Sequence, residues 1–156
     1  DAVCFSHNPA VHAITARKDT LVYLSEIGRG EWPALGLNSD ELAFLQRVVP
    51  ETRFMKDVPV DELWKARKGW VFKPRDRYQA KGVYRGDSIS HTRFAQLVPK
   101  DYVVQRLIPP SQTPDGLKIE FRFYHYGDQV QFGMARLYTG QVTNFRDPRG
   151  GAAPLL

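Results

Sequence analysis

The sequence predicts a mixed fold of helices and mainly antiparallel strands, of the α+β (mixed α/β) class. In the first half, apolar residues recur at helical spacing behind capping residues such as Asn8 and Asn38. From Trp70 onward, short apolar runs alternate with turn residues, and Gly127-Asp128 is a hairpin-type dipeptide. Helices followed by antiparallel strands indicate an α+β domain, or the second half of a mixed α/β protein.

The first half contains three predicted helices and two short strands. Asn8-Pro9 begins the first helix, Asn38 begins the second, and the third spans Val60 to Lys68. The strands run from Val3 to Phe5 and from Thr52 to Met55. The apolar residues that we expect the first two helices to bury are Val11, Ile14, Leu21, Leu24, Leu42, Leu45, Val48 and Val49.

The second half is predicted to be strands joined by turns, with one short helix in SHTRFAQLV. The strand-like stretches are WVFK, VYRG, YVVQRLI, LKIEFRFYHY, QVQFGMARLY and TNF. With a two-residue hairpin turn, Arg122 lies opposite Gly133 and Glu120 opposite Ala135, leaving room above the sheet. Arg136 then falls on the apolar face, so we expect a bulge near Ala135, or a longer turn, to redirect it. That apolar face is expected to be a core face that carries Ile119, Phe121, Phe123, Phe132 and Met134.

Composition and charge restrict the class of protein. The chain has 156 residues, 42% apolar and 12% aromatic, which is typical of a globular domain. A formal charge of +5 favours anionic partners, and the densest basic stretch runs from Lys65 to Lys81. The single Cys4 excludes an internal disulfide and a cysteine-built zinc site.

The sequence also bears on where the protein resides. No apolar run approaches the roughly 20 residues that cross a bilayer, and the start has no signal-peptide pattern. We therefore expect a cytoplasmic protein without a membrane partner. The chain begins with Asp1 rather than Met, and we expect it to be part of a longer protein.

Several nucleotide and hydrolase motifs are absent. The glycines form no G-x-G-x-x-G and no G-x-x-x-x-G-K-[ST], which excludes a Rossmann fingerprint and a P-loop. There is no G-x-S-x-G elbow, and the four histidines do not have the spacing of a helical zinc site.

The positions of a few polar residues point to a phosphate site instead. Lys73 ends an apolar strand before a polar loop that closes at Lys81, so it can reach a phosphate that the loop backbone surrounds. Gln105 is the one amide in an apolar strand, where it can read a purine edge. Glu120 and Arg122 alternate with apolar residues in a later strand. The plainer alternatives are an exposed strand-end lysine and an ion pair on a sheet face.

Together these stretches resemble the ATP-grasp superfamily. KIEFRFYHYGDQVQFGMARLYTGQVTNFRDPRGG, from Lys118 to Gly151, resembles the central segment of ribosomal-protein glutamate ligases. WKARKGWVFKPRDRYQAKGVYRGD resembles the strand lysine and lid loop of that superfamily, and YVVQRLIPP resembles its adenine hinge. The chain is most similar to a circularly permuted, uncharacterised bacterial family related to glutathionylspermidine synthetase.

The resemblance implies three parts and a set of site residues. The parts are a leading segment 1–60, a lid subdomain 61–110 with the lysine strand and hinge, and a hairpin subdomain 111–156. The implied catalytic residues are Arg122, Arg136 and Asn144. The residues implied to bind ATP are Lys18, Lys73, Tyr78, Lys81, Gln105, Leu107 and Glu120.

The implied function is the ATP-binding part of a carboxylate–amine or carboxylate–thiol ligase that works through an acyl-phosphate. The substrates are then ATP and an unidentified carboxylate, and under this function nucleic acid is not expected as a partner. The superfamily binds Mg²⁺ through a Glu-x-Asn pair, which this sequence lacks, so we expect no metal ligand here. The Mg²⁺ ligands, and with them a catalytically complete site, are then expected in a missing N-terminal half. A second copy or that missing segment is expected to cover an exposed sheet face.

The sequence leaves an alternative function open. A basic, β-rich domain can present aromatic side chains for stacking against the bases of single-stranded nucleic acid. The candidate residues for that role are Tyr124, Tyr126, Phe132 and Tyr138.

Overall fold

The computed structural model describes residues 8–30, 36–77, 80–141 and 148–155, and the chain divides into two compact units, Asp1–Leu107 and Ile108–Leu156. The described residues form five helices and two antiparallel four-stranded sheets, which confirms the α+β class. The predicted strands from Val3 and from Thr143 lie outside the described residues.

The elements are numbered in chain order. The helices are α1 Pro9–Thr15, α2 Asp19–Gly28, α3 Ser39–Val48, α4 Val60–Ala66 and α5 His91–Ala95. The strands of the first unit are β1 Thr52–Phe54, β2 Trp70–Pro74, β3 Tyr84–Arg85 and β4 Tyr102–Arg106. The strands of the second unit are β5 Ser111–Gln112, β6 Lys118–Tyr126, β7 Gln129–Tyr138 and β8 Gly151–Pro154.

The first predicted helix is two helices in the structure. Asn8 caps α1 as expected, since its side chain accepts a hydrogen bond from the Ala10 N–H, and Pro9 occupies the first turn. The helix ends before Lys18, whose backbone N–H donates to the carbonyl of Arg75 at 3.0 Å instead of continuing the helix. The expected burial of α1 is wrong, because Val11 and Ile14 are 56% and 71% exposed.

Helix α3 begins as its sequence predicts. The Asn38 side chain accepts from the N–H groups of Asp40 and Glu41, and the Glu41 carboxylate accepts from the Asn38 N–H, which completes a capping box. Its expected buried side is only partly covered. Val48 is 47% exposed, whereas Leu45 is half-buried toward α2.

The sheet of the first unit has the strand order β1-β4-β2-β3 and separates two layers. One face carries Trp70, Phe72 and Val104, which pack into the core with Leu63 of α4 and Phe94 of α5. The other face lies beneath α2, which forms a hydrogen bond to β1 through its Ser25 hydroxyl at 2.9 Å and an edge-on ring contact between Tyr23 and Phe54. The sheet therefore has an aromatic core face and a helix-covered face.

A glycine allows the β2–β3 connection to close tightly. The Gly86 N–H donates to the Trp70 carbonyl at 2.9 Å, and a Cβ atom at this position would lie 1.7 Å from the Arg67 carbonyl oxygen. Since no side chain fits that distance, residue 86 must be glycine for the strand to pack here.

The sheet of the second unit is built on the predicted hairpin. Tyr126 pairs with Gln129 across the two-residue turn Gly127-Asp128, as expected, and Gly127 has a φ of 60°. A positive φ at the first turn position suits the type II′ hairpin. The remaining strands extend the sheet in the order β5-β6-β7-β8.

The predicted register beyond the turn is wrong. The bulge lies at Gln131, not near Ala135: His125 pairs with Val130 and Tyr124 with Phe132, which leaves Gln131 as the extra residue. Every pair beyond it therefore shifts by one position. Arg122 lies opposite Met134 rather than Gly133.

The shift sorts the side chains onto two faces. One, termed the arginine face, carries Lys118, Glu120, Arg122, Tyr124 and Tyr126 with their partners Phe132, Met134, Arg136 and Tyr138. The other, termed the phenylalanine face, carries Ile119, Phe121, Phe123 and His125 with Val130, Gly133, Ala135 and Leu137. The small residues expected below Glu120 and Arg122 thus lie on the opposite face. Phe121 and Phe123 are 54% and 55% exposed, so this unit has an exposed apolar face here and not the predicted core face. Phe132 and Met134, which were also expected on it, lie on the arginine face.

We expect Phe72→Ala to lower the free energy of unfolding of the first unit by about 3–5 kcal/mol, because Phe72 is fully buried and alanine leaves a cavity. Urea unfolding followed by tryptophan fluorescence measures this unit selectively, since all three tryptophans precede residue 108. Phe44→Ala is the matched control: Phe44 is 52% exposed, and its loss should cost less than about 1 kcal/mol. Equal losses would contradict the assigned core.

Candidate functional site

Lys73 lies on the helix-covered face of the first sheet, near the end of β2. Its ammonium group donates a hydrogen bond to the side-chain oxygen of Gln105 on the neighbouring strand β4. Burial lowers the pKa of Lys73, and the positive charge of Lys18 lowers that pKa further. The structure therefore keeps a partly desolvated cation beside a second cation.

A chain of hydrogen bonds holds Gln105 in place. Its side-chain N–H donates to the Thr52 hydroxyl at 2.9 Å, and that hydroxyl donates to the Pro50 carbonyl at 2.8 Å. The Thr52 backbone N–H in turn donates to the Ser25 hydroxyl at 2.9 Å. Both ends of the Gln105 amide are thus bonded within the fold, and in this structure the amide positions Lys73.

Lys18 lies on a neighbouring element, and its charge acts on Lys73. It lies at the N-terminus of α2, where its backbone N–H donates to the Arg75 carbonyl. Its ammonium group donates to the carbonyl oxygen of Arg77. Burial lowers the pKa of Lys18, and the negative charge of Asp76 partly offsets this effect. We call Lys18 and Lys73 the lysine pair.

An ion pair between Asp19 and Arg75 fixes the lysine pair in position. The Arg75 Nε and Nη2 atoms each donate to one carboxylate oxygen of Asp19 at 2.7 Å, a bidentate arrangement. Arg75 also donates to Asp101 at 3.2 Å and lies 5.1 Å from the centre of the Phe54 ring. The hydrogen bond from Arg75 lowers the pKa of Asp19, and the same pairing raises the pKa of Arg75.

The loop after β2 contains two residues with a positive φ among those that the structure describes. Ala80 has a φ of 57° and Gly82 a φ of 75°, so the loop reaches left-handed geometry at a residue other than glycine. The Gly82 carbonyl accepts a hydrogen bond from the Tyr102 hydroxyl at 3.1 Å. Lys81 is exposed in this loop, and Tyr78 lies outside the described residues.

Leu107, the residue expected at the adenine hinge, follows β4. Its backbone N–H donates to the Gly69 carbonyl at 2.8 Å. This hydrogen bond joins the residue after β4 to the residue before β2, so the Leu107 N–H group is bonded within the first unit.

Three of the predicted residues of the second unit lie together on the arginine face. The Arg136 Nη2 atom donates to both carboxylate oxygens of Glu120 at 2.9 Å, and the Arg122 Nη2 atom lies 3.6 Å from that carboxylate. The bulge at Gln131 produces this grouping because it moves Arg136 directly opposite Glu120. Asn144 lies outside the described residues.

An apolar cleft of about 460 Å³ lies between α2 and α3. Its walls include Leu24, Leu37, Phe44 and Leu45, with acidic side chains of Asp40 and Glu41 at the α3 end. The residues predicted for the nucleotide site do not line this cleft.

Within residues 8–30, 36–77, 80–141 and 148–155, no group of three or more His, Cys, Asp or Glu side chains is placed to hold a metal ion. No helix in the part of the chain that the structure describes has both the length and the apolar character to cross a membrane.

Sequence reasoning missed the residues that support the lysine pair. Asp19, Ser25 and Thr52 were not singled out, because small hydroxyls and single acids are common in such segments. Their positions in the sequence could have identified two of them. Asp19 follows Lys18 directly, and Thr52 begins the predicted strand Thr52 to Met55.

No protein-family model matches the chain, and no curated protein or solved structure matches it.

We expect Asp19→Asn to lower the free energy of unfolding of the first unit by about 1–3 kcal/mol at neutral pH, since it removes a charged, bidentate partner. The pKa of Asp19 is lowered in the folded state, so this stabilisation is fully present above its ordinary pKa of 3.8 and disappears as pH falls through the folded value. The wild-type protein and Asp19→Asn should therefore converge in acid. Urea unfolding across pH tests this.

The matched control for that series is Asp61→Asn, an exposed carboxylate on α4. A constant difference between the wild-type protein and Asp19→Asn at all pH values would contradict the proposed ionic contribution.

We also expect Lys18→Met to raise the pKa of Lys73, because the substitution removes a neighbouring positive charge while keeping the side-chain length. NMR titration of the lysine ε-carbon resonances measures this shift directly. Lys65→Met, at an exposed position on α4, should leave the Lys73 titration unchanged. A Lys73 titration that does not respond to Lys18→Met would show that the two charges are not coupled.

Proposed function

We propose that the first unit binds the phosphate groups of ATP at the lysine pair. The chain would serve as the ATP-binding part of an ATP-grasp-like ligase, which joins a carboxylate to an amine or a thiol through an acyl-phosphate. The observation that carries the proposal is the placement of Lys18 beside the end of β2: its backbone N–H donates to the carbonyl of Arg75, two residues after Lys73. The charge of Lys18 also lowers the pKa of the partly buried Lys73.

Two partly buried positive charges that lie close together repel each other and lower the stability of the fold unless an anion offsets the repulsion. Both ammonium groups donate to neutral acceptors, the amide oxygen of Gln105 and the carbonyl oxygen of Arg77. The adjacent acid, Asp19, is paired with Arg75 and Arg17. An anion placed between the lysines would offset their repulsion, which is why such strained charge groups are frequent at binding sites.

The surroundings of the pair suit a phosphate ligand. Lys73 is held on a strand by Gln105, and Lys18 at the start of α2 by a backbone hydrogen bond to Arg75. Such rigid placement reduces the entropy lost on binding. The resemblance of the β2 strand and its loop to the ATP-grasp lid supports a nucleotide as the source of that phosphate.

The resemblance implies a catalytic role for Arg122 and Arg136 and a nucleotide-binding role for Glu120, all three in the second unit. Guanidinium groups can stabilise the charge that develops on a transferring phosphoryl group. The described residues provide no ligand cluster for Mg²⁺, so the proposal assigns no metal ligand and no step that depends on the ion.

We expect Lys73→Met to weaken ATP binding at least about tenfold, since charge-assisted contacts to phosphate are worth roughly 1.5–3 kcal/mol. Isothermal titration calorimetry with ATP measures the affinity. The substitution preserves side-chain length, and a urea titration should show that the first unit remains folded.

Lys65→Met is the matched control, because Lys65 is an exposed lysine on α4, which packs against the opposite face of the sheet. It should bind ATP as the wild-type protein does. A wild-type chain that does not bind ATP, or a Lys73→Met variant with unchanged affinity, would refute the proposal.

A further inference from the structure

We propose that the arginine face near the hairpin turn binds single-stranded nucleic acid by stacking. Tyr124, Tyr126 and Phe132 would stack against successive bases, and Arg122 would contact a phosphate. This surface lies in the second unit and does not depend on the lysine pair of the first unit.

The bulge at Gln131 creates this aromatic surface. In an unbroken register Phe132 would lie on the phenylalanine face, but the bulge places it directly opposite Tyr124. The two ring centroids are 5.8 Å apart and their planes are inclined by 37°. Tyr126 follows two residues later on the same face, about 7 Å further along the strand. Three aromatic rings thus lie on this face near the turn.

The rings are accessible. Tyr126 is 83% exposed, Tyr124 is 45% exposed and Phe132 is 46% exposed. Their spacing suits bases that are separated from one another, as in an extended single strand, and stacking accepts any base because each has a π face. A duplex hides those base faces, so the surface fits unpaired nucleic acid.

Charge distinguishes the arginine face from the phenylalanine face, which also exposes aromatic rings. Arg122 is 44% exposed in its side chain and lies 3.6 Å from Glu120. That carboxylate already accepts two hydrogen bonds at 2.9 Å from Arg136, so it neutralises Arg122 only weakly. The phenylalanine face, by contrast, carries no lysine or arginine among its described residues. The arginine can contact the phosphate backbone of a single-stranded nucleic acid while the aromatic rings stack on its bases.

The test is fluorescence anisotropy with a labelled oligothymidylate or oligouridylate of about 12 nucleotides, within the usual range of single-strand site sizes. We expect Tyr124→Ala and Tyr126→Ala each to weaken binding about fivefold or more, the effect of losing one stacked base. Arg122→Gln should reduce the slope of log affinity against log salt by about 0.7, the value for one lost phosphate contact with a single strand.

Phe123→Ala provides the matched control, because Phe123 is a similarly exposed ring on the adjacent position of the same strand but on the opposite face. It should bind as the wild-type protein does, and so should Lys73→Met. Tyr124→Phe should retain binding, which separates stacking from a defect in folding.

Four results would overturn the inference. The first is a wild-type protein that binds neither oligonucleotide. The second is an equal loss in Phe123→Ala, and the third is loss of binding in Lys73→Met, which would assign the oligonucleotide to the lysine pair. The fourth is a dimer in light scattering that Tyr126→Ala dissociates without any oligonucleotide binding, which would assign the surface to a second copy of the chain.

Discussion

The bidentate ion pair between Asp19 and Arg75 is the contact on which the candidate site depends. It joins the first turn of α2 to the residue after β2, and Lys18 lies immediately before one partner while Lys73 lies two residues before the other. The pair also engages the acid that could otherwise neutralise the lysines. One interaction therefore both brings the two lysines together and leaves them without Asp19 as a counter-ion, while burial lowers the pKa of both ammonium groups.

Local sequence patterns predicted those elements whose ends depend on neighbouring residues. The capping box of α3 is visible in the spacing of Asn38 and Glu41, and the two-residue turn in Gly127-Asp128. The break between α1 and α2 was not predictable in this way, because the apolar stripe continues through it at helical spacing. A hydrogen bond from Lys18 to Arg75, which is distant in sequence, ends the first helix.

The same distinction explains how much of the site was predicted. Lys73 and Gln105 each stood out as polar residues in apolar strands, and the pairing of β2 with β4 brings them together. Ser25 and Thr52 support them but had no distinguishing pattern, since a buried hydroxyl becomes evident only when its partner is known. The grouping of Glu120 with Arg136 was expected, but its cause, an extra residue at Gln131, leaves no local mark in the sequence.

The bulge at Gln131 also determines how the hairpin would respond to the loss of one codon. Gln131 is the extra residue, so its removal would leave Tyr124 opposite Phe132, Arg122 opposite Met134 and Glu120 opposite Arg136 in an unbulged ladder. Side chains alternate between the two faces of a strand, so loss of the bulge with Gln131 still in place would instead shift every later position of β7 by one residue and move Phe132, Met134 and Arg136 to the phenylalanine face. Deleting this residue would therefore preserve the two surfaces, one charged and aromatic and the other apolar, whereas straightening the strand without a deletion would exchange them.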